Sequence, residues 1–160
     1  MKTYSLERLE KLCKQRKVWK AQGKRVVFTN GCFDLLHPGH ITYLQDAKTL
    51  GDVLIIGLND DASIRRLKGD ARPINPLDDR AVMLKALKPV DEVVAFSDDT
   101  PFNLISALLP DVLVKGGDYS ADNIVGADVV TNAGGHVTTI PFLAGYSSTR
   151  LIQKIIALDA

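Results

Sequence analysis

Residues 26–40 read Val26-Val-Phe-Thr-Asn-Gly-Cys-Phe-Asp-Leu-Leu-His-Pro-Gly-His40, in which an apolar run passes through a polar turn into the start of a helix. The β-branched beginning predicts a strand at 26–30 that is covered on both faces. Proline at position 38 is typical of a first helical residue, so His37 is predicted as the N-cap and His40 lies in the same turn. A strand joined to a helix in this way is half of a βαβ unit and favours a parallel sheet.

The same alternation of strand and helix patterns continues along the chain. Short apolar runs predict further strands at 53–58, 92–96, 112–115 and 137–140. Helical patterns occupy about 37–50, 62–67, 78–87, 101–109, 127–133 and 147–158, and a polar helical leader covers about 5–22. We therefore expect an α/β fold with a doubly wound, parallel, five-stranded sheet, in one domain over residues 1–160 whose first 24 residues form the leader.

The composition is that of an ordinary globular chain. The 160 residues are 46% hydrophobic and 24% charged, and the formal net charge of +1 lacks the basic excess that nucleic-acid or membrane-surface binders usually carry. Two cysteines form neither a disulfide framework nor, by themselves, a zinc site. No apolar run approaches the ~20 residues that cross a bilayer, and the first 25 residues contain no apolar signal core. These features predict a cytoplasmic protein with no nucleic-acid or membrane partner.

Polar residues concentrate at the predicted carboxyl ends of two strands. Ligands of doubly wound sheets bind at these ends, where the strand order reverses. The first strand leads into 29–40, which holds two of the three histidines, and the fourth leads into Lys115-Gly-Gly-Asp-Tyr119. His37 and His40 lie beside free backbone N–H groups at the positive end of a helix dipole, and Gly39 leaves room for a polyphosphate. The pattern predicts an anion site, with capping and packing histidines as the alternative.

A metal or thiol centre is another interpretation of the same residues. Cys32, Asp34, His37 and His40 offer four ligand types, but structural zinc sites usually recruit paired ligands from two segments. A phosphatase-like thiol would be followed closely by an arginine, and the first one after Cys32 is Arg65. A buried, inert thiol is therefore expected. No Gly-x-Gly-x-x-Gly follows the first strand and no P-loop pattern occurs, which weakens a dehydrogenase or a P-loop NTPase.

Two further groups of residues border the predicted site. Gly145-Tyr-Ser-Ser-Thr149 places hydroxyls and free N–H groups at the start of the last helix, where simple N-capping is the alternative. The basic residues of the middle of the chain are Arg65, Arg66, Lys68, Arg72 and Arg80. Both a solvated face and phosphate binding remain open for them. They flank 69–77, a stretch without a clear element that is expected to form a mobile loop over the site.

Residues 31–40 and 145–149 resemble the two signatures of the cytidylyltransferase-like nucleotidyltransferase superfamily, and the resemblance covers about residues 25–155. Residues 65–77 and 113–119 are similar to the branch that adenylylates D-glycero-β-D-manno-heptose 1-phosphate, in its stand-alone form without a kinase half. The resemblance implies a Rossmann-like nucleotidyltransferase fold. It also implies that ATP and a sugar 1-phosphate react, with Mg²⁺, to give an ADP-sugar and pyrophosphate for lipopolysaccharide or surface-glycan precursors.

The resemblance further implies roles for individual residues. His37 and His40 would hold the triphosphate and stabilise the α-phosphoryl transition state, and Lys68 would bridge the phosphates of both substrates. The sugar phosphate would be bound by Asp34, Asp60, Arg66, Arg72 and Arg80, with Arg80 on the 1-phosphate. The nucleotide would be lined by Thr29, Asn30, Gly31, Phe33, Lys115, Gly116, Gly117, Asp118, Tyr119, Ser147, Ser148 and Thr149. No protein ligand of a metal is implied, and relatives suggest a homodimer.

The sequence departs from the superfamily pattern at two points. Arg-Thr often precedes the glycine of the second signature, whereas this chain has Phe142-Leu143, with Arg150 as a nearby basic residue. Cys32 stands where many relatives carry threonine, which fits the heptose branch. Glycerol phosphate, ethanolamine phosphate or a flavin phosphate as acceptor would leave the same signatures. A non-catalytic nucleotide sensor and a metal-dependent hydrolase are the alternatives from other classes.

Overall fold

The computed structural model describes residues 6–117 and 123–158. In chain order its elements are α1 (Leu6–Ala21), β1 (Val26–Gly31), α2 (Pro38–Thr49), β2 (Val53–Asn59), α3 (Asp61–Lys68), α4 (Leu77–Lys85), β3 (Glu92–Phe96), α5 (Phe102–Leu108), β4 (Val112–Gly116), α6 (Ala127–Asn132), β5 (His136–Ile140) and α7 (Ser148–Ile156). Every predicted strand and helix is present, with ends that differ by two residues or fewer. Within these ranges no helix is both long and apolar enough to cross a membrane.

The five strands form one parallel sheet in the order β3-β2-β1-β4-β5, which confirms the predicted doubly wound fold. β1 pairs with β2 over six positions, but with β4 only at Val27↔Val112 and Phe28↔Leu113. β1 and β4 therefore separate beyond Phe28. The strand order reverses between them, so this gap is the switch point at which such sheets bind ligands.

Alternate residues of the central strands feed two apolar cores, one on each face of the sheet. Phe28 and Ile55 pack on one face with Ile105 of α5. Leu54 packs on the other face with Leu44 of α2. All five side chains are fully buried, and burial of a side chain of this size contributes roughly 1.5–3 kcal/mol. The cores make the sheet a rigid support for the loops at its carboxyl edge.

Helix α1 is packed onto the body of the domain. Leu12 is buried in the first apolar core. The buried Arg16 donates to the carbonyl of Leu109 at 3.0 Å and to the Asp111 carboxylate at 2.8 Å. The second oxygen of Asp111 accepts from the backbone N–H of Val26 at 2.8 Å. One carboxylate thus joins the predicted helical leader to the first strand.

Candidate active site

An open pocket of about 360 Å³ lies at the carboxyl edge of the sheet, beside the gap between β1 and β4. Its walls come from the end of β1, the start of α2, the end of α3, the end of β4 and the segment between β5 and α7. Eleven of the residues predicted from the sequence line it: Asn30, Gly31, Phe33, His37, His40, Lys68, Lys115, Gly116, Ser147, Ser148 and Thr149. The structure therefore brings the histidine segment and the hydroxyl segment into one pocket.

The start of α2 presents two stacked imidazoles to this pocket. His37 is the N-cap residue and Pro38 occupies the first helical turn, but the His37 side chain makes no capping hydrogen bond. Its ring lies on that of His40, with centroids 3.8 Å apart and planes inclined by 20°. The Nδ1 atoms of both rings are buried without a hydrogen-bond partner in the protein. A buried polar atom without a partner is uncommon in folded proteins, and such atoms are found at functional sites.

Burial favours the neutral form of both imidazoles at pH 7. Burial, together with the neighbouring His37 and Lys68, lowers the pKa of His40 to about 4. Burial also lowers the pKa of His37. A neutral imidazole donates from one ring nitrogen and accepts at the other. The pair can therefore donate to phosphate oxygens at the positive end of the helix dipole.

Gly39 is required by close packing at this helix start. A Cβ added there would lie 3.0 Å from Nδ1 of His37 and 3.2 Å from Cβ of Tyr146. The Tyr146 ring also faces that of His37 at 6.4 Å between centroids. A larger residue at position 39 would crowd the His37 ring and Tyr146, which would have to shift by a few tenths of an ångström.

The start of α7 adds hydroxyls, two of which already have partners. The Ser147 side chain caps the helix by accepting from the backbone N–H of Arg150 at 3.1 Å. Ser148 donates to the carbonyl of Leu35 at 3.1 Å, which fixes α7 to the segment after β1. Thr149 is exposed in the pocket wall. The capping prediction is confirmed for Ser147, and all three residues line the pocket.

Two lysines give the pocket its positive charge. Lys68 ends α3 and is exposed. Lys115 is half-buried in β4, where burial lowers its pKa, and its ammonium lies 3.4 Å from the amide oxygen of Asn30. No carboxylate stands among the described residues that line the pocket. The described lining therefore suits an anion.

Tyr43 is a pocket residue that sequence reasoning missed. Its hydroxyl lies 2.6 Å from that of the fully buried Thr29 and 3.4 Å from the carbonyl of Val114. These contacts bridge β1 and β4 where their ladder has ended. Thr29 was predicted to contact the nucleotide, but its hydroxyl is occupied by Tyr43 and does not line the pocket. The signal for Tyr43 was its position one helical turn after His40.

Replacing Tyr43 by phenylalanine should lower the free energy of unfolding by about 1–2 kcal/mol, because the buried hydroxyl of Thr29 loses its partner. Chemical denaturation measures the effect. Thr29→Val should lower the free energy of unfolding by a similar amount. The double variant should lose less stability than the sum of the two single losses. Tyr146→Phe is the matched control, since Tyr146 is half exposed. Additive losses for Tyr43 and Thr29 would contradict the bridge.

The residues predicted to bind the sugar phosphate form hydrogen bonds and ion pairs within the protein. The buried Asp34 carboxylate accepts from Nε of Arg72 at 2.6 Å and from the backbone N–H groups of Ile74 and Asn75 at 2.9 Å. Burial alone would raise the pKa of Asp34, but these donors outweigh it and lower the pKa. Asp34 thus ties down the 69–77 loop and does not face the pocket. Arg72 retains one unused donor, because its Nη2 is buried without a partner.

Asp60, Arg66 and Arg80 also lie outside the pocket wall. Asp60 caps α3 by accepting from Ser63 N at 2.7 Å, and it also accepts from the Ser97 hydroxyl. Arg66 is exposed and pairs with Asp99 at 2.7 Å. The Arg80 guanidinium is completely buried, with all three of its nitrogens bonded inside the protein. Asp34, Asp60, Arg66 and Arg80 therefore form contacts within the protein and do not line the pocket, and their contacts with a sugar phosphate stay predictions.

Three remaining predictions concern single positions. Cys32 is half-buried in the pocket wall, so the expectation of a buried thiol is wrong. Gly117 does not line the pocket; it has a positive φ of 108° and donates to the carbonyl of Ile140 at 2.9 Å. Asp118 and Tyr119 lie outside the described residues. In the described ranges, no group of three or more His, Cys, Asp and Glu side chains is arranged to hold a metal.

The fold and the pocket together define a class of protein. A doubly wound sheet with paired imidazoles at a helix N-terminus, beside its switch point, is an α/β domain whose β1–α2 junction suits a phosphorylated ligand. Residues 28–154 match the family model described as cytidylyltransferase-like. The chain belongs to this family, and it is a nucleotidyltransferase.

Relatives and a solved structure support this assignment. The chain is 59% identical over 137 residues to the bifunctional protein HldE of Geobacter sulfurreducens and 58% identical over 142 residues to that of Gluconacetobacter diazotrophicus. These matches cover 86% and 89% of the chain but only 28% and 29% of the relatives, so the chain spans less than a third of their length. The lipopolysaccharide core biosynthesis protein from Thermoplasma volcanium superimposes with a TM-score of 0.60 at 28% identity, over 76% of this chain and 98% of that one.

Proposed function

We propose that this chain transfers the adenylyl group of ATP to D-glycero-β-D-manno-heptose 1-phosphate, giving ADP-heptose and pyrophosphate in the cytoplasm for lipopolysaccharide or surface-glycan precursors. The observation that carries the proposal is the stacked pair His37 and His40 on the N-terminus of α2, whose buried Nδ1 atoms have no partner in the protein. The relatives named HldE and the neighbour named for lipopolysaccharide core biosynthesis favour the heptose acceptor.

The proposed reaction needs no general base from the protein. A phosphate monoester is largely doubly ionised at pH 7, since its second pKa is about 6. Its oxygen attacks the α-phosphorus of ATP in line with the bond to the β-phosphate; the new P–O bond forms as that bond breaks, and pyrophosphate leaves with the electron pair. The protein then has to align the reactants and stabilise charge. Neutral imidazoles suit this task, because they act as donors and are not required to take up a proton.

Each part of the pocket has a place in this scheme. The N–H groups of α2 with His37 and His40 would hold the triphosphate and stabilise the negative charge that grows on the leaving pyrophosphate. Lys68 would bridge the phosphates of both substrates, and Lys115 would supply a second ammonium from β4. The hydroxyls of 147–149 would contact the nucleotide from the facing segment. The oligomeric state stays a prediction.

Mg²⁺ is proposed to arrive with ATP. The described lining consists of imidazoles, ammonium groups, hydroxyls, the Asn30 amide, the Cys32 thiol and apolar side chains. It lacks the carboxylates that a protein site for Mg²⁺ usually contributes. These residues fit phosphate oxygens better than a divalent cation. The ion would therefore be held by the nucleotide, where it supplies charge neutralisation to the phosphates.

A pyrophosphate-release screen tests the proposal. We expect pyrophosphate only when ATP, Mg²⁺ and heptose 1-phosphate are all present, because the transfer joins two substrates. Glycerol phosphate, ethanolamine phosphate and flavin mononucleotide serve as competing acceptors, and CTP serves as a competing donor. Turnover with one of these acceptors alone would reassign the acceptor. Phosphate release from ATP without any acceptor would indicate a hydrolase, and ATP binding without turnover on any acceptor would indicate a sensor.

A further inference from the structure

An aromatic and aliphatic wall closes the pocket on the side of β5. It consists of Phe142, Leu143 and Tyr146, which lie in the segment between β5 and α7 and all line the pocket. Phe142 is the most exposed of the three, with 67% of its surface accessible. A phenyl ring left this open in a pocket forgoes the burial that such a side chain usually achieves. The wall therefore has apolar surface to offer to a ligand.

Gly116 leaves room for the Phe142 ring beside β4. A Cβ added at Gly116 would lie 2.5 Å from Cε1 of Phe142 and 3.3 Å from Cε2 of Tyr43. The φ of Gly116 is not in the left-handed region, so its backbone does not need glycine. The absence of a side chain serves the approach of the phenyl ring to β4. The ring thus rests on a rigid strand next to the buried Tyr43, while most of its surface faces outward.

The chemistry of the pocket differs between its parts. His37, His40 and Lys68 offer donors and positive charge, which suit the phosphates of a nucleotide. Phe142 and Leu143 are apolar pocket residues, and neither side chain can bind a phosphate. Aromatic rings stack readily on nucleobases, because every base presents a π face. The apolar wall is therefore complementary to the adenine base of ATP, whereas the polar residues are complementary to its phosphates.

We propose that Phe142 is a nucleobase-stacking residue and that Gly116 is glycine so that the ring can take up this position. The inference rests on the proposed function, since it assumes a nucleoside triphosphate as the ligand. Phe142 would contribute binding energy to the base, and the imidazoles would contribute it to the phosphates. The two contributions are separable, because inorganic tripolyphosphate carries the phosphates without the base.

Titration calorimetry with ATP and with tripolyphosphate, at one fixed Mg²⁺ concentration, tests the proposal. Phe142→Leu should weaken ATP binding about tenfold, the scale of losing one base stack, and should leave tripolyphosphate binding unchanged. Phe142→Trp should retain the ATP affinity. The matched control is Phe102→Leu, a half-exposed phenylalanine at the start of α5 outside the pocket, which should alter neither affinity. In the wild type, the adenine protons should shift upfield on binding and show contacts to the Phe142 ring by nuclear magnetic resonance.

Several results would overturn the inference. Unchanged ATP affinity in Phe142→Leu would do so while the proposed function still stood, as would a selective loss of ATP in Tyr146→Leu alone, which would place the base on Tyr146. An equal loss for ATP and tripolyphosphate in Phe142→Leu would show a general disturbance of the 142–149 segment and no stacking. A wild-type protein that binds neither ligand would overturn the proposed function together with the inference.

Discussion

His40→Ala should lower kcat for pyrophosphate release about 10²-fold or more, the loss typical of removing one donor aimed at a transition state. His40 lies in the first turn of α2 and stacks on His37 at 3.8 Å, so its ring is held in one orientation. Its pKa of about 4 keeps it neutral at pH 7, with one N–H to donate. Because this donor is fixed before the charge develops, its effect should appear in kcat and kcat/KM alike.

The controls for this prediction come from the chain itself. His136 is the third histidine and lies exposed at the start of β5, outside the pocket, so His136→Ala should keep full turnover. His40→Gln retains an N–H donor and should recover part of the rate. Denaturation midpoints of all variants show whether they remain folded. Full activity in both His37→Ala and His40→Ala would contradict a role of the imidazoles in the reaction.

The fold was predictable because the strands are short runs with distinct boundaries. Val53–Asn59 is buried at all seven positions, as expected of a central strand covered on both faces. The helix after β1 begins at Pro38, where the sequence placed it. The parallel, doubly wound arrangement followed from the alternation of strands and helices and from the right-handed crossover rule. Local patterns and topological rules were sufficient at this level.

The location of the site was also predictable, since it depends on the same topology. The carboxyl ends of β1 and β4 meet at the switch point, so the segments after them share a pocket whatever their details. The bridge between Tyr43 and Thr29 was not foreseen. It depends on how far β1 and β4 separate beyond Phe28, and no pattern in the sequence encodes that distance.

The internal partners of Asp34, Arg72 and Arg80 could not be predicted from the sequence, because each partner lies far away along the chain. Asp34 and Arg72 are 38 positions apart and form an ion pair, and Arg80 reaches the carbonyl of Cys32 from 48 positions away. Residue type marks each of them as a phosphate or sugar ligand. Whether such a charged side chain faces a pocket or an internal partner depends on tertiary contacts. Local sequence patterns do not encode these contacts.

Arg80→Met should lower the free energy of unfolding by about 3 kcal/mol, a loss of the size found when one partner is removed from a buried ion pair. The Arg80 guanidinium donates to the carbonyls of Cys32, Asn59 and Asn75 at 2.7–3.0 Å and to the Asp61 carboxylate at 2.7 Å. It therefore joins the segment after β1, the end of β2, the start of α3 and the 69–77 loop. Methionine fills a comparable space but leaves these acceptors without a donor.

Chemical denaturation measures this loss, and Arg66→Met provides the matched control. Arg66 is half exposed, and removing its ion pair with Asp99 should change stability by less than about 0.5 kcal/mol. Arg80→Lys keeps the charge without the planar fork, so it should remain strongly destabilised. The folded fraction of Arg80→Met should still bind ATP, because Arg80 does not line the pocket. A variant as stable as the wild type but unable to bind heptose 1-phosphate would instead return Arg80 to the phosphate-binding role that its sequence context first suggested.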